Sequence, residues 1–252
     1  MSLAIHPSKD IIATGQMATK GKGKLIDIFV WRVSTLEVIA HLNNFHRGAV
    51  RKLEFSPSGD KLMTIGEDPQ NSVAIYDWAN QRILCKSPVG TDRVFDACWK
   101  DDQEFATVGL KHVQFYKIVG INIEVTKGLF GAAGIVPSIS CHYAFQEKVF
   151  VTGTPTGELN KWDGRSIGKT FKSHADALWT IQSIQKGALL VTGGNDGKLL
   201  ILDKTFAVKQ TFDLTPMSSF PAGVRAFDYN ETAKTFLVGT RSAEIIELNL
   251  SG

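Results

Sequence analysis

The stretch KLEFSPSGDKLMTIGEDPQNSVAIYDW, residues 52–78, decides the fold. It contains three short apolar runs, and each run is bounded by turn-forming residues. SPSG turns the first run into the second, which closes near Gly66, and a loop then leads to a third run that delivers Tyr76 and Asp77. Short apolar runs separated by Ser, Pro, Gly, Asp and Asn are typical of β-strands. The stretch therefore predicts three consecutive antiparallel strands.

The same arrangement occurs six times along the chain, and its spacing predicts the architecture. The third strands are predicted to end at Trp31, Tyr76, Tyr116, Trp162, Leu202 and Glu247. Successive ends lie 40 to 46 residues apart, which matches the roughly 40 to 45 residues of a WD repeat, one four-stranded propeller blade. Helical periodicity of any length is absent, so alternating βα architecture is excluded. The sequence predicts an all-β WD-repeat β-propeller with six recognisable blades.

The predicted blades share one domain, residues 1–252. Their approximate bounds are 1–41, 46–86, 93–126, 138–172, 174–213 and 222–250. The last blade reaches the end of the sequence after its third strand, so we expect it to have three strands and an unpaired edge. We accordingly expect the six blades to form part of a larger, seven-bladed ring or an incompletely closed one.

Composition limits the classes of function. The formal net charge of +3 is small against 28 basic and 25 acidic residues, so no nucleic-acid or membrane partner is expected. No stretch reaches the roughly 18 apolar residues needed to span a bilayer. Cys85, Cys98 and Cys141 form no CxxC pair, which favours reduced, buried thiols in an intracellular protein.

The sequence lacks the motifs of common active sites. Residues 15–24, GQMATKGKGK, superficially match a phosphate-binding loop, but Gly15 and Gly21 lie one residue too far apart and a strand follows. GxSxG and HExxH are absent, the six histidines lack ligand spacing, and the Asp101–Asp102 pair is typical of a solvated turn. We therefore predict no catalytic, cofactor or metal site.

An enzyme that uses the propeller channel would need polar groups on the innermost strands. The sequence offers Glu54, Asp96, His142 and Asp228 at those positions. Only a cluster of carboxylates with perturbed pKa values, lining one pocket, would favour this hypothesis.

Polar residues recur in blades two and five at positions where WD repeats form a buried hydrogen-bond network. The candidates are His46, Thr64 and Asp68 in blade two and His174, Thr192 and Asp196 in blade five. Because buried polar groups need partners, we assign these residues a structural role. Tyr76 and Leu202 replace the usual Trp of the third strand, so we expect a partial network.

Several motifs resemble the first propeller of the echinoderm microtubule-associated protein-like family. They are HPSKDIIATGQ (6–16), VAIYDW (73–78), DRVFDACW (92–99), TVGLKHVQFY (107–116), KGLFG (127–131), VTGTPTGELNKWDG (151–164) and VGTRSAEIIEL (238–248). The resemblance implies a cytoskeletal protein that binds tubulin or microtubules without catalysis. It also implies an upstream hydrophobic motif and a second propeller, which this sequence lacks, so we expect a fragment of a longer protein.

The loops that precede each first strand and those that join second to third strands lie on one face of a propeller, here called the partner face. Its candidate partner-binding residues are Lys20, Lys22, Lys24, Arg47, Arg93, Lys111 and Arg241. Tubulin is strongly acidic, so these residues predict a salt-sensitive contact in the cytoplasmic cytoskeleton. Acidic residues share the same loops, which leaves solvated mixed charge as one alternative. A generic WD-repeat adaptor in another multiprotein complex is the alternative function.

Overall fold

The structure, a computed structural model, describes residues 2–17, 25–131 and 134–250. The chain forms two compact units. The first comprises Met1–Thr107 and Gln114–Lys127, and the second comprises Val108–Val113 and Gly128–Gly252. Lys20, Lys22 and Lys24 lie outside the described residues.

Three antiparallel sheets belong mainly to the first unit, and in each the strands follow one another in chain order. The first sheet contains β1 (Ser2–Ile5), β2 (Ile11–Gly15), β3 (Ile28–Arg32) and β4 (Glu37–Leu42). The second contains β5 (Val50–Phe55), β6 (Lys61–Gly66), β7 (Val73–Asp77) and β8 (Arg82–Ser87). The third contains β9 (Val94–Trp99), β10 (Glu104–Gly109), β11 (Val113–Val119) and β12 (Asn122–Lys127).

Three further antiparallel sheets form most of the second unit. The fourth sheet contains β13 (Ser140–Ala144), β14 (Val149–Gly153), β15 (Glu158–Asp163) and β16 (Ser166–Lys172). The fifth contains β17 (Leu178–Ile184), β18 (Leu189–Gly194), β19 (Lys198–Leu202) and β20 (Val208–Asp213). The sixth contains β21 (Val224–Asn230), β22 (Thr235–Thr240) and β23 (Ile245–Asn249). Short 3₁₀ helices occur at Gln185–Gly187 and Thr215–Met217.

Burial falls from the second and third strands of a sheet towards the fourth. In β6, the five residues after Lys61 are all buried, whereas β12 has no buried residue. A strand that is covered on both faces reads as a continuous apolar run, while an outer strand keeps polar residues. This gradient is the one expected for blades that stack face to face.

The third strands share an irregularity next to the residue that ends each predicted repeat. The pairing between third and fourth strands shifts register immediately before Trp31, Tyr76, Trp162 and Leu202. Such a bulge bends a strand and increases its twist. The sequence repeat is therefore also a repeat of backbone geometry.

Apolar clusters join neighbouring sheets within each unit. In the first unit, Tyr76 packs with residues of the first and second sheets, and Tyr116 packs with the second and third. Tyr116 stacks on Phe105 with ring centroids 4.6 Å apart. In the second unit, corresponding clusters join the fourth sheet to the fifth and the fifth to the sixth. These clusters make the sheets of each unit one packed body.

The six sheets confirm the prediction of an all-β fold with six blades, so they are called blades one to six below. Through residue 250, blade six has three strands, whereas each of the other blades has four. Among the helices in the described ranges, none has the length and apolar character required to cross a membrane.

Candidate partner-binding face

Blade five holds its predicted polar residues together. His174 precedes β17, and its Nε2 lies 2.9 Å from Thr192 Oγ1 in β18. Its Nδ1 lies 3.0 Å from Asp196 Oδ1 in the β18–β19 turn. Because a carboxylate only accepts hydrogen bonds, Nδ1 carries the proton and donates a hydrogen bond to Asp196.

The Asp196 carboxylate is held by several donors at once. Its Oδ2 accepts a hydrogen bond from Ala175 N at 2.9 Å, and its Oδ1 accepts one from Lys198 N at 3.2 Å. Burial opposes ionisation of Asp196, but the hydrogen bonds from His174 and from these amides outweigh it and lower its pKa. The loop before β17 and the β18–β19 turn are thereby fixed to each other.

Blade two brings only two of its three predicted residues together. His46 Nε2 lies 2.6 Å from Thr64 Oγ1, and this hydroxyl donates to Ala74 O at 3.2 Å, so Nε2 carries the proton. Asp68 accepts instead from Ser72 in its own loop, at 3.1 Å from the Ser72 hydroxyl. Within the described residues, the buried His46 Nδ1 has no partner. Burial lowers the pKa of His46 to about 4, against the smaller effect of the Asp68 charge.

The second-strand threonine is also used in other blades. The indole of Trp31 donates to Thr14 at 2.9 Å, and that of Trp162 donates to Thr152 at 3.1 Å. These contacts follow the WD pattern more closely than those of blades two and five, where the third strand has no Trp. They join the second and third strands of blades one and four.

The candidate basic residues that the structure describes lie in separate loops and are exposed. In the first unit, Arg47 precedes β5 and Arg93 precedes β9; in the second unit, Lys111 lies between β10 and β11 and Arg241 between β22 and β23. The Arg93 guanidinium lies over the Phe95 ring, 5.3 Å from its centroid. Stacking of this kind restricts a guanidinium without using its hydrogen-bond donors.

A cleft of about 350 Å³ lies beside Arg93 in the first unit, lined also by Arg51, Glu67 and Asp68. Arg51 pairs with Glu67, which neutralises one charge of each sign. Asn71 Nδ2 donates to Gly90 O and Asp92 O at 2.8 and 3.0 Å, and it thereby ties the β6–β7 loop to the loop before β9. The cleft has mixed charge, with Arg93 as its exposed cation.

Three residues that were not identified from the sequence stand out at the start of first strands. The pairing of first and second strands skips Arg51 in blade two, Trp179 in blade five and Arg225 in blade six. Each is the extra residue of a β-bulge, which redirects a side chain away from the regular ladder. The Arg225 guanidinium lies 4.2 Å from the centroid of the Trp179 ring. Sequence periodicity gave no sign of these bulges.

The innermost strands of each unit carry polar groups of the kind that a channel enzyme would require. In the first unit, Lys52 Nζ lies 2.7 Å from Asp96 Oδ1 and 3.8 Å from Glu54 Oε2. Burial raises the pKa of Glu54 to about 7, opposed by Lys52 and aided by Asp96. In the second unit, His142 Nε2 accepts a hydrogen bond from Ser183 N at 3.0 Å. The Lys52–Asp96 and His142–Ser183 contacts link first strands of neighbouring blades, whereas the Glu54 carboxylate lies beside Lys52 of its own strand.

Other reactive groups are accounted for by packing. Cys85, Cys98 and Cys141 are buried, and burial raises the pKa of the Cys85 thiol to about 11. Over the ranges 2–17, 25–131 and 134–250, no group of three His, Cys, Asp or Glu side chains is arranged to hold a metal ion.

Comparison with known families identifies the chain. Residues 1–248 match the model of the echinoderm microtubule-associated protein first β-propeller. The chain belongs to this family. The resemblance predicted from the motifs is therefore confirmed, and the match extends from blade one into the last strand of blade six.

Curated relatives from several animals are similar to this member of the family. Echinoderm microtubule-associated protein-like 2 of Rattus norvegicus is 27% identical over 84% of this chain and 34% of its own length. The 77 kDa echinoderm microtubule-associated protein of Lytechinus variegatus is 25% identical over 100% of this chain and 39% of its own length. Echinoderm microtubule-associated protein-like 4 of Homo sapiens is 27% identical over 94% of this chain and 26% of its own length. The chain thus spans about a third of the length of these relatives.

Solved structures support the fold assignment. The β-propeller domain of Cps50 (Swd1) from Myceliophteria thermophila superimposes with a TM-score of 0.78 at 13% identity, covering 99% of this chain and 86% of that one. The C-terminal WD40 domain of Sif2 superimposes with a TM-score of 0.72 at 15% identity, covering 99% of this chain and 66% of that one. The WD-repeat propeller prediction is confirmed.

Proposed function

We propose that this chain is a non-catalytic scaffold that binds tubulin or the microtubule lattice through its partner face. Its family and the names of its curated relatives, which are microtubule-associated proteins, support a role of this type. Lys52, Asp96 and His142 are engaged in links between neighbouring blades, which favours a binding role over catalysis.

The observation that carries the proposal is the presentation of exposed arginines by firmly bonded loops. Arg93 is stacked on Phe95 beside a cleft, and the loop that carries it is held by Asn71. Arg241 follows β22, and its backbone N donates to Gly223 O at 2.6 Å. A cation on a loop that is already ordered loses less conformational entropy when it binds an acidic surface.

The proposed setting is the cytoplasmic cytoskeleton, with the six blades as one propeller domain of a longer protein. We expect the upstream hydrophobic motif and a second propeller of that protein to be its intramolecular partners. The relatives are much longer than this chain, which is consistent with such neighbours.

Co-sedimentation with polymerised tubulin tests the proposal. We expect wild-type chain to pellet with microtubules and to be released as salt is raised, because screening weakens contacts between exposed charges. Arg93→Gln and the combined Lys20, Lys22 and Lys24→Gln variant should each weaken binding. Arg82→Gln is the matched control, since Arg82 is 66% exposed, pairs with Asp77 and begins β8 at the opposite end of its blade.

Absence of wild-type chain from the pellet at low salt would contradict the proposal. A generic adaptor role would then be favoured, and it would be pursued by identifying the proteins retained by the immobilised chain. If Arg82→Gln weakened pelleting as much as Arg93→Gln, binding would depend on total charge and not on the partner face.

A further inference from the structure

The first strands of blades five and six each begin with a bulge, and the two bulged side chains stack on each other. Trp179 falls between Leu178 and Thr180 in the register of β17, and Arg225 falls between Val224 and Ala226 in that of β21. The flanking Leu178 and Val224 remain fully buried. Two neighbouring blades thus place an indole under a guanidinium at the ends that carry the partner face.

The stack fixes the guanidinium while leaving its donors unused. Arg225 is exposed, with its guanidinium 4.2 Å from the Trp179 ring centroid. In the part of the chain that the structure describes, Arg225 forms no salt bridge or side-chain hydrogen bond. A planar guanidinium that stacks through its face keeps its N–H edge available, and that edge matches the two oxygens of a carboxylate.

Two acidic residues of blade five, Asp176 and Asp196, are already engaged. Asp176 accepts from Asn195 Nδ2 at 2.5 Å and from Ala177 N at 2.7 Å. Asp196 accepts from His174 and from two backbone amides. The hydrogen bonds of both carboxylates are therefore satisfied within blade five. Neither carboxylate pairs with Arg225, so its guanidinium can accept a carboxylate of another molecule.

A second cation, Arg241, lies close to the start of β21. Thr240 is paired with Val224, and Arg241 follows it in the loop that is bonded to Gly223. Arg241 is exposed, and its charge helps to lower the pKa of Asp176 after the hydrogen bonds from Asn195 and Ala177. The start of β21 and the end of β22 therefore present positive charge together.

We propose that Arg225, held on Trp179, is a carboxylate-binding site that anchors an acidic protein segment, with Arg241 as its second cation. The site takes glutamate or aspartate side chains, because its donors form a planar fork. The inference rests on the proposed function for the acidic character of the partner, and it adds the residue that makes the contact.

The test uses the whole chain and a fluorescein-labelled polyglutamate peptide, with binding followed by fluorescence anisotropy. We expect Arg225→Gln to weaken binding roughly tenfold, the usual effect of losing a hydrogen bond to a charged group. Arg225→Lys keeps the charge but lacks the fork, and we expect it to weaken binding as well. Arg165→Gln is the matched control, because Arg165 is exposed in the β15–β16 turn at the opposite end of blade four.

Three results would overturn the site: no binding of the peptide by wild-type chain, equal binding by the Arg225→Gln and Arg165→Gln variants, or wild-type affinity in Arg225→Lys. Circular dichroism of each variant shows whether the fold is kept. Microtubule pelleting of the same proteins separates the two proposals. Peptide binding that depends on Arg225, without microtubule pelleting, would support the site and contradict the proposed function.

Discussion

Blades two and five carry the same His, Thr and Asp at the same spacing, yet they use them differently. In both blades the His and Thr are 18 residues apart and bonded through Nε2. In blade five Asp196 accepts a hydrogen bond from the His174 ring. In blade two Asp68 accepts from Ser72, and His46 Nδ1 has no partner among the residues that the structure describes. The same three residues are therefore joined in one blade, whereas in the other only the His and Thr are joined.

The residues that follow each aspartate explain the difference. Gly197, with φ of 77°, follows Asp196 and allows a tight turn into β19. Four residues, Pro69 to Ser72, separate Asp68 from β7, and the amides of Gln70 and Ser72 donate to its carboxylate. A longer loop supplies its own donors, and these capture the side chain before it reaches the histidine.

The largest expected loss of stability comes from substitution of Gly157, whose carbonyl accepts a hydrogen bond from His174 N at 2.9 Å. Its φ is 84°, and a Cβ there would lie 2.3 Å from His174 O. We expect Gly157→Ala to destabilise the protein by roughly 3 kcal/mol or more, through backbone overlap and conformational strain. Urea unfolding measures this. Gly164→Ala is the control, since Gly164 has φ of 58° and open space around it; equal losses would rule out the overlap.

The next effect distinguishes the two aspartates. We expect Asp196→Ala to lower the free energy of unfolding by about 1–3 kcal/mol, because the His174 ring and the Ala175 amide lose their acceptor. Asp68→Ala should cost less, at about 1 kcal/mol or below, since its donors all lie in its own loop and the Gln70 amide is exposed to water. Thermal unfolding of both variants tests the comparison. A smaller loss in Asp196→Ala than in Asp68→Ala would reverse our interpretation of the two blades.

Acid should weaken blade two through His46. The ring titrates near pH 6.5 in the unfolded chain and at about 4 in the folded protein, so the unfolded state binds the proton more tightly. The stabilising contribution of His46 is therefore complete above about pH 6.5 and is lost as pH falls towards 4. We expect this loss to reach about 2 kcal/mol between roughly pH 7.5 and 5.

His46→Gln isolates that contribution in unfolding curves at several pH values. Glu54 has a pKa raised to about 7 and acts in the opposite direction over the same range, so the difference between wild type and variant is the relevant quantity. Parallel stability curves for the two proteins would show that His46 does not titrate as inferred.

The smallest expected loss of stability comes from Ser72, whose hydroxyl donates a hydrogen bond to Asp68. We expect Ser72→Ala to cost about 0.5 kcal/mol, because one part-buried hydrogen bond is lost while the amides of Gln70 and Ser72 still hold the carboxylate. The pKa of His46, followed by NMR, should stay near its wild-type value. A rise in that pKa would mean that Asp68 had moved to the ring and that Ser72 alone had kept blade two incomplete.

Much of the fold could be predicted because its signals are local. The spacing of Trp31, Tyr76, Tyr116 and Trp162 indicates a repeated strand–turn–strand motif. Each repeat forms one blade, which buries both of its faces against neighbouring blades. The bulges at Trp179 and Arg225 could not be predicted, since one skipped residue in a strand pair leaves the apolar pattern almost unchanged. The roles of Arg93 and Arg241 in partner binding stay predictions.

The sequence by itself determined the all-β class, the six blades, the family and the positions of His174, Thr192 and Asp196, because these depend on composition and spacing along the chain. Only the tertiary structure decided that Asp196 meets a histidine whereas Asp68 does not, and that Arg225 lies on Trp179. The physical reason is that a polar side chain takes whichever partner its own loop and the neighbouring blade bring within about 3 Å, and that distance is set in space, not along the sequence.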